Sequence, residues 1–190
     1  MVGDEKRVFY ICNAKDYDAP ILRSEKVSEH RQQFEALGFE FVEYDLREYF
    51  INKLPRDCLD GFGLVWCAGG NTFLLRAAIR YSGLENVLKA TVRSDKIVYA
   101  GSSAGAIVAT PSLKGTEFFD HPEQVREIYK LPVVWDGLRF ADISLVPHYN
   151  GDWGEAEHTI EYLESKKLPY KALRDGQVYI VYGKKRKIVA

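Results

Sequence analysis

The 190-residue sequence has little cysteine: only Cys12, Cys58 and Cys67, far apart and without a C-x-x-C pair. An odd, scattered set excludes a disulfide framework and a zinc-binding cysteine cluster, and it points to reduced thiols and a cytoplasmic location. The chain also lacks an excess of either charge, with 26 basic residues against 27 acidic and a net charge of -1. No global field therefore draws it to nucleic acid or to an anionic membrane. No apolar run approaches the ~18 residues needed to cross a bilayer. The start, from Met1 to Arg7, is charged and leads into a short apolar run, which is not the form of a signal peptide. Missing too are H-E-x-x-H, a Walker sequence and a full G-x-G-x-x-G. Gly61-Phe62-Gly63 comes nearest, but Trp66 stands where the third glycine belongs. Neither a metal nor a nucleotide cofactor is expected.

What is present argues for a packed core. The chain is 46% hydrophobic and carries 12 Tyr, 10 Phe and 3 Trp, which excludes intrinsic disorder. Its length supports one sizeable core better than two small ones, so residues 1–190 are expected to form one domain. Short apolar runs alternate with amphipathic stretches. Residues 7–12, 39–44, 63–67 and 96–100 read as strands. Between them, Ser24 is the expected cap of a helix that Gly38 stops, and a second helical stretch starts near Thr72 and breaks at Ser82-Gly83. Residues 111–135 hold Pro111, Pro122 and Pro132 and read as a long loop region. Residues 143–146 form a further strand, 155–167 a helix, and three more strands follow. Asp175-Gly176 and Gly183 between these last strands are hairpin signals. The fold class is therefore α/β: a mostly parallel sheet with helices on both faces and hairpin elements at the C-terminus.

The segment richest in chemical meaning is Gly101-Ser102-Ser103-Ala104-Gly105, a G-x-S-x-G between a strand and a helix. Such an elbow lifts the central hydroxyl out of the sheet and aims free helix N–H groups at developing negative charge. A tight turn made of small residues reads the same way. A serine nucleophile needs a base and an orienter. Of four histidines, His148 follows a strand end, where an α/β sheet collects its site residues. His30, His121 and His158 lie on polar or loop segments and read as solvated or structural. Asp175 follows another strand end and is either the orienter or an ordinary turn aspartate. Gly69-Gly70 forms a second glycine turn, whose backbone N–H is a candidate oxyanion donor.

Gly69-Gly70-Asn71-Thr72-Phe73-Leu74-Leu75 together with Gly101-x-Ser103-Ala104-Gly105-Ala106 resembles the serine peptidases of family S51, the dipeptidase E (aspartyl dipeptidase) family. Pro147-His148 and Leu173-x-Asp175-Gly176 fall where that family keeps its base and acid. The resemblance spans roughly residues 60–180. It implies a fold similar to class I glutamine amidotransferases (flavodoxin-like), with Ser103 as nucleophile, His148 as base and Asp175 as third member. It also implies an oxyanion hole made by the N–H groups of Gly70 and Ala104. Dipeptidase E itself is similar but carries Glu at the third position, one methylene longer than Asp175. The expected activity is a cytoplasmic serine peptidase acting on short peptides, among them dipeptides with N-terminal Asp. The expected partner is a small peptide, with no nucleic acid and no membrane.

Two other readings remain open. An α/β-hydrolase esterase also uses G-x-S-x-G, but its chain order is serine, acid, histidine, whereas Asp175 here follows His148. A non-catalytic binding protein on the same fold is the other, since a fold does not fix a function.

Overall fold

The structure, a computed structural model, describes residues 5–150 and 154–190. Four parallel strands form its main sheet: β1 (Arg7–Ile11), β2 (Glu40–Glu43), β3 (Leu64–Cys67) and β4 (Val98–Gly101), in the order β2-β1-β3-β4. Alternation along β1 decides what each face buries. Val8 and Tyr10 pack with Phe41 and Leu64 against Val27 and Phe34 of α1 (Pro20–Ala36). Phe9 and Ile11 face the other way, joining Val65 and Cys67 under α2 (Thr72–Tyr81) and α3 (Leu84–Arg93). A sheet buried on both faces requires strands that are apolar along their buried length, as β1 is from Val8 to Ile11.

After β4 come α4 (Ala104–Val108), a loop region with a 3-10 turn at Thr116–Phe118 and a wide helical turn at Val125–Tyr129, and β5 (Ser144–Val146). Helix α5 (Glu155–Ser165) leads to β6 (Tyr170–Ala172), which pairs with β5 in parallel. Strands β7 (Val178–Tyr182) and β8 (Lys185–Val189) close the chain as an antiparallel hairpin. The α/β class, the parallel sheet, the helices on both faces and the C-terminal hairpin all stand as expected.

Two local expectations do not. Helix α1 begins four residues before Ser24, with Ala19 as N-cap and Pro20 in the first turn, while the Ser24 hydroxyl donates to the Ile21 carbonyl at 2.8 Å. Proline suits that position because its φ is already helical and its missing N–H has no partner to lose. Asp175-Gly176 is also not a hairpin turn: β6 pairs with β5 and β7 with β8, so the turn links two separate ladders. Gly183-Lys184 is the true two-residue hairpin loop, closed by the Tyr182–Lys185 pair. Among the described residues, no helix is long and apolar enough to cross a membrane.

Candidate active site

Strand order fixes where a site can form. From β1 the chain steps outward to β2, then returns past β1 to β3, so the order reverses between β1 and β3. Ligands of open α/β sheets bind outside the C-terminal strand ends at such a reversal. The turns that follow β1, β3 and β4 meet there.

Ser103 occupies the turn between β4 and α4 at φ +48°, ψ -111°. A non-glycine residue pays about 1–3 kcal/mol for such a backbone, and persists in it only where surroundings enforce it. Here they do. A Cβ at Gly105 would lie 2.2 Å from the Cys67 carbonyl oxygen, and one at Gly101 2.6 Å from the Gly105 carbonyl carbon. Only glycine permits that approach. On the other side of the serine, the Ser102 N–H donates to the Cys67 carbonyl at 3.1 Å.

His148 and Asp175 come from the β5–β6 pair. Val146 is in register with Ala172, and two further bonds carry the pairing outward: Leu173 N–H to Val146 O at 2.8 Å and Tyr149 N–H to Leu173 O at 3.0 Å. His148 and Asp175 thus leave the two strand ends at the same level. His148 Nδ1 lies 2.7 Å from Asp175 Oδ1, and its Nε2 lies 3.0 Å from Ser103 Oγ. The tautomer that fits both contacts has Nδ1–H donating to the carboxylate and Nε2 accepting from the serine. His148 itself is held in the left-handed region, φ +60°. Both partners face solvent, with side-chain exposures of 58% for His148 and 71% for Asp175.

The Gly69-Gly70 turn lies against the serine, since a Cβ at Gly69 would come 3.1 Å from Ser103 Cβ. Gly70 has φ +138°, and a Cβ there would be 2.3 Å from the Ala14 carbonyl oxygen. The same carbonyl accepts from Asn71 N–H at 2.8 Å, tying the β3 turn to the β1 turn. Asn71 caps α2 by accepting from the N–H groups of Phe73 and Leu74. Among the described residues, the N–H groups of Gly70 and Ala104 have no acceptor. Ala104 opens α4, where a helix leaves its first N–H groups free. The structure therefore brings together all five residues singled out in the sequence: Ser103, His148, Asp175, Gly70 and Ala104.

The other histidines lie apart. His121 and His158 are exposed beside Glu123 and Glu161. His30 is not a purely solvated residue as expected: its Nδ1 contacts the buried Tyr10 hydroxyl at 2.6 Å, and burial holds its pKa below the usual range.

Sequence reasoning missed the support beneath the β1 turn. Asp16 has no exposed side-chain surface; it accepts from the Tyr129 hydroxyl at 2.5 Å and from Asn13 Nδ2 at 2.8 Å, and Arg23 Nε donates to it at 3.1 Å. Burial raises the Asp16 pKa against these donors. A run of mixed polar residues after β1 was the one available signal, and Tyr129 is too distant in sequence to suggest the contact.

A serine strained onto a strand-to-helix turn, with an imidazole and a carboxylate in line behind it, is the constellation that serine hydrolases use. The comparisons with known proteins narrow the class. The model of peptidase family S51 matches residues 1–189, and the chain belongs to that family. It is 31% identical over 148 residues to peptidase E of Streptomyces coelicolor, covering 73% of this chain and 57% of that protein. An uncharacterised peptidase of Listeria innocua is 26% identical over 120 residues, 63% of this chain and 54% of the relative. The chain thus spans little more than half the length of these two relatives. A crystal structure of a candidate peptidase E protein from Listeria monocytogenes matches the fold with a TM-score of 0.74 at 21% identity, over 100% of this chain and 87% of the other.

Proposed function

We propose that this protein is a serine peptidase of short peptides, dipeptides with N-terminal Asp among them, working through Ser103, His148 and Asp175 in one α/β domain. His148 Nε2 takes the Ser103 proton as Oγ attacks the scissile carbonyl carbon. The N–H groups of Gly70 and Ala104 receive the oxyanion. His148 then delivers the proton to the leaving amine, and water, activated by the same imidazole, releases the acyl group and restores Ser103. Asp175 holds the imidazole and stabilises its cationic form. Removing one oxyanion donor from such a site typically costs ~3 kcal/mol in the barrier.

The observation that carries this reading is the unbroken line from Ser103 Oγ through His148, 3.0 Å, to Asp175, 2.7 Å. Membership of a peptidase family supports peptide bonds as the target, and a relative from Drosophila melanogaster named a probable alpha-aspartyl dipeptidase supports a small substrate. Free thiols at Cys12, Cys58 and Cys67 support a reducing, cytoplasmic setting. The order serine, histidine, acid argues against an α/β-hydrolase esterase. A dipeptide library offered to wild-type protein and to Ser103→Ala tests the reading. Hydrolysis by the wild type that disappears in Ser103→Ala supports it, with the cleaved members defining the specificity. A folded wild type that cleaves nothing favours the binding protein.

A further inference from the structure

Strain at Ser103 must be balanced by contacts on both sides of the turn. On the N-terminal side, Ser102 N–H is bonded to the Cys67 carbonyl. On the C-terminal side the fastening is a side chain: the Tyr99 hydroxyl donates to the Gly105 carbonyl at 2.6 Å. Tyr99 belongs to β4, and Gly105 lies two residues past the serine and one past Ala104. Helix α4 is little more than one turn long, and backbone bonds from Gly105 to Ser102 and from Ala106 and Ile107 to Ser103 shape its start, while the Gly105 carbonyl is taken by the Tyr99 hydroxyl. Burial raises the Tyr99 pKa well above normal and pushes the Cys67 thiol up to about 12, so both groups keep their protons. Phe140 packs on the Tyr99 ring, centroids 5.0 Å apart, and holds it in place.

We propose that Tyr99 is a positioning residue for the reaction, fastening the first turn of α4 so that Ser103 Oγ and the Ala104 N–H keep their reacting geometry. This rests on Ser103 being the nucleophile. Tyr99 touches neither substrate nor the reacting atoms; it acts through the Gly105 carbonyl. Losing the hydroxyl frees that carbonyl and lets the turn relax from φ +48°, moving Oγ away from His148 and the N–H away from the oxyanion.

The test is Tyr99→Phe, which keeps the ring and removes only the oxygen. Displacements near 1 Å can cost a site up to about a hundredfold, and kcat is expected to fall at least about tenfold here. KM should stay within about twofold, because the lost interaction matters in the transition state and not in binding. Amide hydrogen exchange of residues 102–108 should accelerate in the variant. A merely structural tyrosine would lower Tm and leave the kcat of folded enzyme and the exchange of that segment unchanged; that result overturns the proposal. The exchange measurement does not depend on activity. A wild type without hydrolysis would sink the proposed function, whereas intact wild-type hydrolysis with an unaltered Tyr99→Phe would sink only the role of Tyr99.

Discussion

The two halves of the site are built differently. Ser103 stands on a turn clamped between β3, β4 and α4, where glycines at 101 and 105 leave no room for a Cβ. His148 and Asp175 hang from the ends of a two-stranded pair and are more than half exposed. Both Ser103 and His148 hold a positive φ, but one half is part of the core and the other is a polar arm laid over it. The geometry of Ser103 is therefore a property of the fold, while the orientation of the imidazole rests largely on one hydrogen bond to an exposed carboxylate. Substitutions in the two halves should accordingly split into those that cost rate alone and those that cost rate and stability together.

His148→Ala should have the largest effect on rate. Loss of a triad member lowers kcat by roughly 10⁴–10⁶, and thermal unfolding of this exposed position should shift little. Kinetics and calorimetry on one preparation check both. An equal fall in Tm would erase the distinction between the halves.

Asp175→Asn comes next. An amide favours the wrong imidazole tautomer, a change worth about 10⁴ in kcat in chymotrypsin with its geometry preserved. Asp175→Glu sharpens the comparison, because an exposed position has space for one more methylene. Partial activity is expected for Glu and almost none for Asn. The reverse order would mean that the 2.7 Å contact to His148 does not orient the ring.

Gly105→Ala should show the smaller loss of rate and the larger loss of stability. Its new Cβ would meet backbone, the Cys67 carbonyl at 2.2 Å, which no side-chain rotation relieves. Overpacking of this kind costs about 3 kcal/mol. A variant as stable as the wild type would show that the elbow is looser than the packing implies.

The same division explains what the sequence disclosed. Ser103 was legible because a strand-to-helix elbow is a local object: its glycines and small residues are contiguous. His148 and Asp175 were legible as residues after strand ends, since each strand announces itself by an apolar run. The side-chain contacts around the elbow and the β1 turn were not. Tyr99 on Gly105 reads as an ordinary strand aromatic, and Asp16 with Tyr129 joins positions 113 residues apart. Such pairings are set by how loops dock, which no local period encodes. The start of α1 was missed for a simpler reason: Ser24 has the chemistry of a cap, but Pro20 four residues earlier already had the backbone for a first helical turn, with Ala19 as its cap. Asp175-Gly176 has a hairpin turn's composition, but β6 takes β5 as its partner, so the turn serves to carry the carboxylate.

Reaction with a fluorophosphonate, followed by mass mapping of the adduct, tests the central claim most directly. The probe needs an activated serine and an oxyanion hole and requires no knowledge of the substrate. One adduct at Ser103 is expected, absent in Ser103→Ala, retained in Ser102→Ala, and formed far more slowly in His148→Ala. Folded wild-type protein that stays unlabelled, or that carries the adduct on another serine, would contradict the account.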